Sequence, residues 1–157
     1  MFKNITEFED NCSYDESMAK HTSWGIGGHA DLFYSPKSRE DLVSFLSSID
    51  ANIPITWIGR GSNILVRDAG IRGVVISTKS FLKGIKKISE CLYRVEAGVA
   101  SVELALFCQK NGIGPAAFFS GIPGSIGGAL TMNAGSFGME TWDLVKEVEV
   151  INEKGNI

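Results

Sequence analysis

The sequence predicts an α+β fold with two lobes, and three observations lead to this prediction. Short apolar strand-like segments are mixed with helical segments along the 157 residues. Apolar residues make up 44% and charged residues 21% of the chain, which is typical of a globular domain. Glycine occurs 18 times, mostly in three short windows. A first lobe is expected to end near Ser80, with a second lobe over 81–157.

Residues 1–20 read as a loosely specified leader with a helical turn over Thr6–Asp10, and the first lobe is expected over 21–80. Ser38 begins a capping-box pattern, and the apolar residues after it recur at helical spacing, which predicts a helix over Arg39–Ile49. The strands of this lobe are predicted from runs of apolar and β-branched residues at Ala30–Ser35, Ile53–Ile58 and Val74–Ile76.

In the second lobe, Ser101 is expected to cap a helix over Val102–Asn111 that stops at Gly112. A shorter helix is expected over Ser125–Met132. Strands are predicted at Ile85–Ile88, Leu92–Ala97 and Val145–Ile151. Asn152–Asn156 has the composition of a hairpin turn, but almost no sequence follows to form its second strand. The sequence therefore suggests that the protein continues beyond Ile157.

Charge and composition argue against several classes of function. The net charge is −3 and no basic stripe occurs, so a nucleic-acid partner is not expected. No apolar run approaches the roughly 18 residues of a membrane span, and the N-terminus lacks a secretory signal, which predicts a cytoplasmic protein without a membrane partner. The 3 cysteines lack CxxC spacing and only 2 histidines are present, so no metal site is expected.

The second glycine window follows a predicted strand directly. Successive backbone N–H groups in a tight glycine turn can surround an anion, and a hydroxyl and an amide can add donors. An ordinary tight turn explains this window equally well. The candidate binding residues here are Gly59, Arg60, Gly61, Ser62, Asn63 and Ile64.

The third glycine window precedes a predicted helix, whose first N–H groups and positive dipole end suit a phosphate. Close packing of a helix against a strand is the alternative. The candidate binding residues are Gly121, Pro123, Gly124, Ser125, Gly127, Gly128, Asn133, Ala134 and Gly135. Two such loops suggest a ligand with two phosphates or a long body, although neither GK[ST] nor a Rossmann GxGxxG pattern is present.

These segments together resemble the FAD-binding half of the UDP-N-acetylenolpyruvoylglucosamine reductase (MurB) family. The resemblance rests on three stretches in the family's order, His21–Phe33, Ile58–Ile76 and Gly121–Gly138. It implies a FAD-binding domain of the vanillyl-alcohol-oxidase (PCMH) type. By this resemblance, Gly59–Ile64 wraps the FAD pyrophosphate, while Gly121–Gly128 and Asn133–Gly135 line the pyrophosphate and the flavin. Thr22–Gly28 would shape the adenine-side lobe.

The resemblance also implies an activity. The family transfers hydride from NADPH through FAD to the enolpyruvyl ether of a UDP-sugar, giving UDP-N-acetylmuramate for peptidoglycan. The chain departs from the family's first motif at His21, Gly25 and His29.

The family's catalytic Tyr-Arg-x-Ser pattern is missing after the third window, because the one Tyr-Arg pair, Tyr93-Arg94, precedes it. We therefore expect no catalytic residue here, the catalytic groups and the substrate-binding domain to lie beyond Ile157, and this chain alone to be inactive. Another FAD-dependent oxidoreductase of the same fold, or a non-catalytic flavin-binding module, remains as an alternative.

Overall fold

The computed structural model describes residues 5–157 of the chain. They divide into two compact units. The first contains the described residues up to Phe81 together with Glu149–Ile157, and the second is Leu82–Val148. The last residues of the expected second lobe therefore pack with the first unit. Gly155 lies against the carbonyl oxygen of Val43, which places this terminal turn on the first unit's helix.

The first unit is built on a four-stranded sheet in the order β1-β2-β4-β3. Strands β2, β4 and β3 run parallel, and β1 pairs antiparallel with β2. A single α-helix, α1 (Arg39–Ser48), connects β2 to β3, and 3-10 turns occur at Thr6–Asn11 and Met18–His21. The strands are β1 (Cys12–Ser17), β2 (His29–Tyr34), β3 (Ile55–Ile58) and β4 (Ile71–Ser77).

Helix α1 forms where the sequence predicts it. The Ser38 hydroxyl oxygen accepts a hydrogen bond from the Asp41 N–H at 3.1 Å, which satisfies one of the free donors at the helix start. The apolar face of the helix is buried, and Phe45 stacks on Tyr34 of β2 with ring centroids 3.7 Å apart. Burying a side chain of the size of Phe45 contributes about 2 kcal/mol to the stability of the fold. The apolar face of α1 therefore holds the helix against the sheet.

Strand β4 occupies the centre of the sheet. Val74, Val75 and Ile76 are all fully buried, as expected for a parallel strand covered on both faces. Parallel strands present their carboxyl ends at one edge of a sheet, and loops at that edge commonly bind ligands. The glycine loop that begins at Gly59 leaves β3 at this edge.

Two strand predictions were wrong. Strand β1 was assigned to the leader because Cys12–Ser17 is polar and shows no apolar alternation, yet backbone pairing with β2 orders it. The expected strand Val145–Ile151 does not form, because no strand within residues 5–157 pairs with this segment. Val148 and Val150 are exposed, at 46% and 70%, so alternation alone did not create a buried face.

The second unit combines a hairpin with short helices. Strands β5 (Ile85–Lys87) and β6 (Tyr93–Val95) form the hairpin, and β7 (Gly135–Ser136) pairs with β8 (Met139–Glu140). Phe118 and Phe119 lie in the core with the buried faces of both α-helices. The helical segments are α2 (Ser101–Lys110), α3 (Ile126–Met132) and 3-10 turns at Pro115–Gly121 and Thr141–Asp143.

The end of α2 was predicted correctly and its start was not. Gly112 has φ +67°, and the N–H of Ile113 donates to the Cys108 carbonyl at 2.9 Å, as in a glycine-terminated helix. Ser101 is the first helical residue rather than the cap, and its hydroxyl makes no capping bond. No helix within residues 5–157 has the length and apolar character needed to cross a membrane.

Candidate functional site

The loop Gly59–Asn63 leaves β3 and folds against the backbone of His21–Ser23. Gly61 has φ +67°, and a Cβ at this position would overlap the His21 carbonyl oxygen. The Ser23 N–H donates to the Gly61 carbonyl at 2.9 Å. Because both the dihedral angle and the contact exclude a side chain, glycine is required at Gly61.

The same loop also has backbone N–H groups that are not bonded to protein. Within residues 5–157, the backbone N–H groups of Gly59, Arg60, Gly61 and Asn63 donate no hydrogen bond to the rest of the chain. Successive free N–H groups in a tight turn form an anion-binding concavity. The Gly61 carbonyl is thus held by protein, while these four N–H groups remain available to a ligand.

His21 holds the supporting segment in place. Its Nε2 donates to Oε1 of Glu16 at 2.8 Å, and its ring stacks on Phe33 with centroids 3.9 Å apart. The hydrogen bond from His21, aided by Lys20, holds the pKa of Glu16 below its ordinary value. The charged Glu16 therefore helps to fix the backbone against which Gly61 packs. The sequence offered no spacing signal for this role of His21.

A small cleft opens beside the same loop. Its volume is about 150 Å³, and Gly59 and Arg60 form part of its wall. Phe33 and Ile58 contribute apolar surface. The remaining wall is polar and comes from Lys20, His21, Thr22, Ser23, Ser77 and Lys79. Of these polar residues, only Thr22 and Ser23 fall in a segment that the sequence assigned to cofactor binding.

In the second unit, the two predicted parts of the third glycine window lie together. A Cβ on Gly121 would overlap the side-chain oxygen of Ser136, and the Phe137 ring is also close. The backbone at Gly121 therefore approaches the β7–β8 hairpin directly. This places Gly121–Gly128 beside the segment that contains Asn133–Gly135.

The start of α3 differs from the prediction. The N–H groups of Ile126 and Gly127 donate to the carbonyl oxygens of Val99 and Ala97, at 2.9 and 2.8 Å. The expectation that the helix offers its first N–H groups to a phosphate is therefore wrong for these two. A Cβ on Gly127 would lie 2.9 Å from the Ala97 Cβ, so close packing explains this glycine. Gly128 is exposed, and its nearest neighbour, the Ser125 hydroxyl, would lie 3.7 Å from an added Cβ.

Two hydroxyl groups beneath this loop have no hydrogen-bond partner. Ser125 is 2% exposed and Ser101 is fully buried, and neither Oγ bonds to any described group. A backbone hydrogen bond joins the start of α2 to the loop before α3, because the Ser101 N–H donates to the Gly124 carbonyl at 3.1 Å. Buried hydroxyls are normally satisfied, so this pair marks a place where a polar group of a ligand, or a water molecule, would be stabilised.

Asn133–Gly135 is already engaged with protein. Asn133 adopts the left-handed conformation that ends α3, its Nδ2 donates to Oε2 of Glu140 at 2.6 Å, and its Oδ1 accepts from the Trp142 N–H at 3.1 Å. The Ala134 carbonyl accepts two bonds from Thr141. Gly135 pairs with Glu140 in the hairpin. These contacts fix the end of α3 next to Gly121.

These features fit a dinucleotide cofactor on the first unit more directly than on the second. The first loop presents open backbone donors to a diphosphate, and the second region presents unsatisfied buried hydroxyls. No group of three or more His, Cys, Asp or Glu side chains in the described part of the chain could hold a metal ion.

Curated relatives match almost the whole chain. The UDP-N-acetylenolpyruvoylglucosamine reductase of Nitrosococcus oceani is 50% identical over 133 residues, which cover 85% of this chain and 45% of that protein. The reductase of Legionella pneumophila is 43% identical over 154 residues, covering 98% and 51%. That of Coxiella burnetii is 41% identical over 174 residues, covering 99% and 55%. The chain thus spans about half the length of the curated relatives it matches.

Solved structures confirm the predicted fold. The crystal structure of the MurB reductase from Thermus caldophilus matches with a TM-score of 0.62 and 30% identity, covering 81% of this chain and 44% of that one. Alkyldihydroxyacetonephosphate synthase matches with a TM-score of 0.57 at 20% identity, covering 81% of this chain and 30% of that one, which shows the fold alone. Both support the α+β FAD-binding fold of the vanillyl-alcohol-oxidase type.

A family model described as a FAD binding domain matches residues 30–157. This range contains both glycine loops and most of the first unit's sheet. The chain therefore belongs to the FAD binding domain family, and within that family it is similar to the FAD-binding part of UDP-N-acetylenolpyruvoylglucosamine reductases.

Proposed function

We propose that this chain is the FAD-binding portion of a reductase that converts UDP-N-acetylglucosamine enolpyruvate to UDP-N-acetylmuramate in the cytoplasm, with NADPH as the hydride donor. The observation that carries this proposal is the identity of 41–50% to reductases with this name, which extends across both glycine loops. The N–H groups of Gly59, Arg60, Gly61 and Asn63, which donate to no group within residues 5–157, support the cofactor part of the proposal independently.

In this proposal, FAD supplies the capacity to accept a hydride and pass it on. The chain's own residues bind and orient it. Gly59–Ile64 hold the pyrophosphate through backbone donors. Gly121, Pro123, Gly124, Ser125 and Gly128 line the remainder of the cofactor, with Gly127 and Asn133–Gly135 keeping that wall in shape. The two compact units correspond to the two lobes of the cofactor domain.

The UDP-sugar and the groups that protonate it belong to the part of the relatives that this chain does not match. We therefore expect the isolated 157-residue chain to have no NADPH-dependent reductase activity, and the protein at its natural length to have it. Oxidation of NADPH that requires the enolpyruvyl substrate is the measurement. Turnover of that substrate by the isolated chain would contradict the proposal.

A second candidate is another FAD-dependent oxidoreductase, or a flavin-binding module without catalysis. The likeness to alkyldihydroxyacetonephosphate synthase favours this candidate, because it shows that the same fold occurs in a protein with a different name. Bound flavin in the protein of natural length, combined with no reduction of the enolpyruvyl ether, would favour the second candidate. A colourless protein that fails to bind added FAD would remove both.

A further inference from the structure

We propose that the cleft beside Gly59 is a phosphate-binding site in which Lys20, Arg60 and Lys79 supply the positive charge. The identification of that phosphate as the pyrophosphate of FAD rests on the proposed function. Lys79 and Lys20 would then be cofactor-binding residues outside the glycine loop.

The charge of the lining is the first support. Three basic side chains, Lys20, Arg60 and Lys79, line the cleft, and no carboxylate of residues 5–157 lines it. The whole chain is acidic, with a net charge of −3, so a local cluster of this sign is not a consequence of composition. Converging cations beside a low-dielectric wall attract anions and raise their local concentration.

The partners of these cations are the second support. In the described residues 5–157, neither Arg60 nor Lys79 forms an ion pair. Lys20 pairs with Glu16 at 3.2 Å, but its side chain is 65% exposed. An exposed pair of this kind is weak, so Lys20 can exchange that partner for a phosphate.

The neutral donors around the cleft are the third support. The Ser77 hydroxyl oxygen accepts a hydrogen bond from the backbone N–H of Lys79 at 3.4 Å. The hydroxyl hydrogen of Ser77 is still available to donate to a ligand. Ser23 is exposed at the rim, and the free N–H groups of Gly59 and Arg60 belong to the same wall. Mixed charged and neutral donors are what a phosphate group needs to satisfy its several acceptor oxygens.

The position in the fold is the fourth support. The cleft lies where β3 ends at Ile58 and β4 ends at Ser77, which is the carboxyl edge of the parallel strands. Ligands of open sheets with parallel strands bind outside this edge.

The test uses Lys79→Met, which keeps the aliphatic stem and removes the charge. Lys37→Met is the matched control, because Lys37 is an exposed lysine of the same unit that does not line the cleft. The dissociation constant of inorganic pyrophosphate is measured by calorimetry in the protein at its natural length, and that of FAD by flavin fluorescence. Circular dichroism verifies that each variant is folded.

We expect Lys79→Met to weaken pyrophosphate and FAD binding by about tenfold, the change expected when one charge-assisted hydrogen bond is lost. Lys20→Met should act in the same direction, Lys79→Arg should restore most of the affinity, and Lys37→Met should change neither constant. The difference between the wild type and Lys79→Met should shrink as salt is added.

Three results would separately overturn the phosphate site, its identification with the FAD pyrophosphate, and the proposed function. If a folded Lys79→Met variant binds pyrophosphate as the wild type does, the cleft is not a phosphate site. If pyrophosphate binding depends on Lys79 but FAD affinity does not, the cleft holds a different phosphate. If the wild type binds pyrophosphate in a Lys79-dependent way and does not bind FAD, the phosphate site stands and the proposed function fails.

Discussion

The two glycine-rich regions of this chain look alike in sequence and use glycine for different reasons. In the first unit, Gly61 has to be glycine because the His21 carbonyl occupies the space of a side chain, while neighbouring N–H groups stay open. In the second unit, Gly127 donates its own N–H to Ala97 and packs against that residue. The first loop keeps backbone donors that would suit the proposed cofactor, and the start of α3 uses its glycine for packing.

This difference teaches that a glycine count does not by itself locate a phosphate. A glycine whose N–H is already bonded to the chain has no donor left for a ligand. In the second region, the exposed Gly128 and the buried hydroxyls of Ser101 and Ser125 are among the groups of the described residues that a ligand can still contact. The cofactor contacts of that region are therefore expected to be fewer and less phosphate-like.

The largest effect is expected from Gly61→Ala. It forces a non-glycine residue to φ +67° and places a methyl group onto the His21 carbonyl, so we expect a loss of about 3 kcal/mol or more in unfolding free energy. FAD binding should be lost as well. Urea unfolding and flavin absorbance measure the two effects.

Gly25→Ala is the control for Gly61→Ala. Gly25 has the same φ of +67° but no atom within 4 Å of an added Cβ. Gly25→Ala should therefore lower the free energy of unfolding by about 1–2 kcal/mol, which is the cost of the left-handed backbone conformation alone. Equal losses for the two variants would mean that the contact with His21 does not restrict Gly61.

Asn133→Ala should give the next largest effect. The substitution removes the hydrogen bonds to Glu140 and Trp142 and places alanine in the left-handed conformation. Together these changes should lower the free energy of unfolding by about 2 kcal/mol. Asn133→Gly should recover the backbone part of this loss. Thermal unfolding measures the effect, and if Asn133→Ala lowers FAD affinity without lowering stability, Asn133 contacts the cofactor directly.

Gly127→Ala and Gly128→Ala test the comparison within one helix. At Gly127 the clash with Ala97 should outweigh the gain in helix propensity and destabilise the protein by about 1 kcal/mol. At Gly128 the site is open, so alanine should stabilise the helix by about 0.5–1 kcal/mol. If Gly128 lies against FAD, the second variant binds FAD more weakly although it is more stable.

Much of the fold was predictable where local chemistry determines structure. Ser38 and the apolar spacing after it predicted α1, and Gly112 predicted the end of α2. Strand β1 could not be predicted, because its partner β2 and not its own polar residues orders it. The prediction of a strand over Val145–Ile151 failed for the converse reason, since its residues alternate but no strand in the described part of the chain pairs with them.

The candidate site divides in the same way. The loop Gly59–Asn63 was visible as a motif following a strand. The supporting contacts of His21 and the lysines of the cleft were not, because they come from segments distant in sequence that only the sheet brings together. The bonded N–H groups at the start of α3 were likewise invisible, since Ala97 and Val99 lie about 30 residues earlier.

The smallest expected effect is on the reactivity of the cysteine thiols, which can report on the unfolding of each unit separately. Cys12 lies in β1 of the first unit and Cys108 in α2 of the second, and burial raises the pKa of both thiols. For Cys12 the pKa rises to about 11, with Asp41 and Glu9 adding to the effect of burial. Exposed Cys91 serves as the internal reference.

At pH 8, alkylation should therefore modify Cys91 first and Cys12 and Cys108 slowly, because the thiolate is the reactive form. A raised pKa means that the folded state favours the neutral thiol. The stability contributed by Cys12 is therefore fully present below the unfolded value near 9.0 and is lost as the pH rises through about 11. Mass spectrometry at increasing urea would show which thiol becomes reactive first. If FAD slows exposure of Cys12 more than that of Cys108, the cofactor stabilises the first unit preferentially, as the open N–H groups of Gly59, Arg60 and Gly61 imply. Equal protection of the two thiols would contradict the contrast between the two glycine regions.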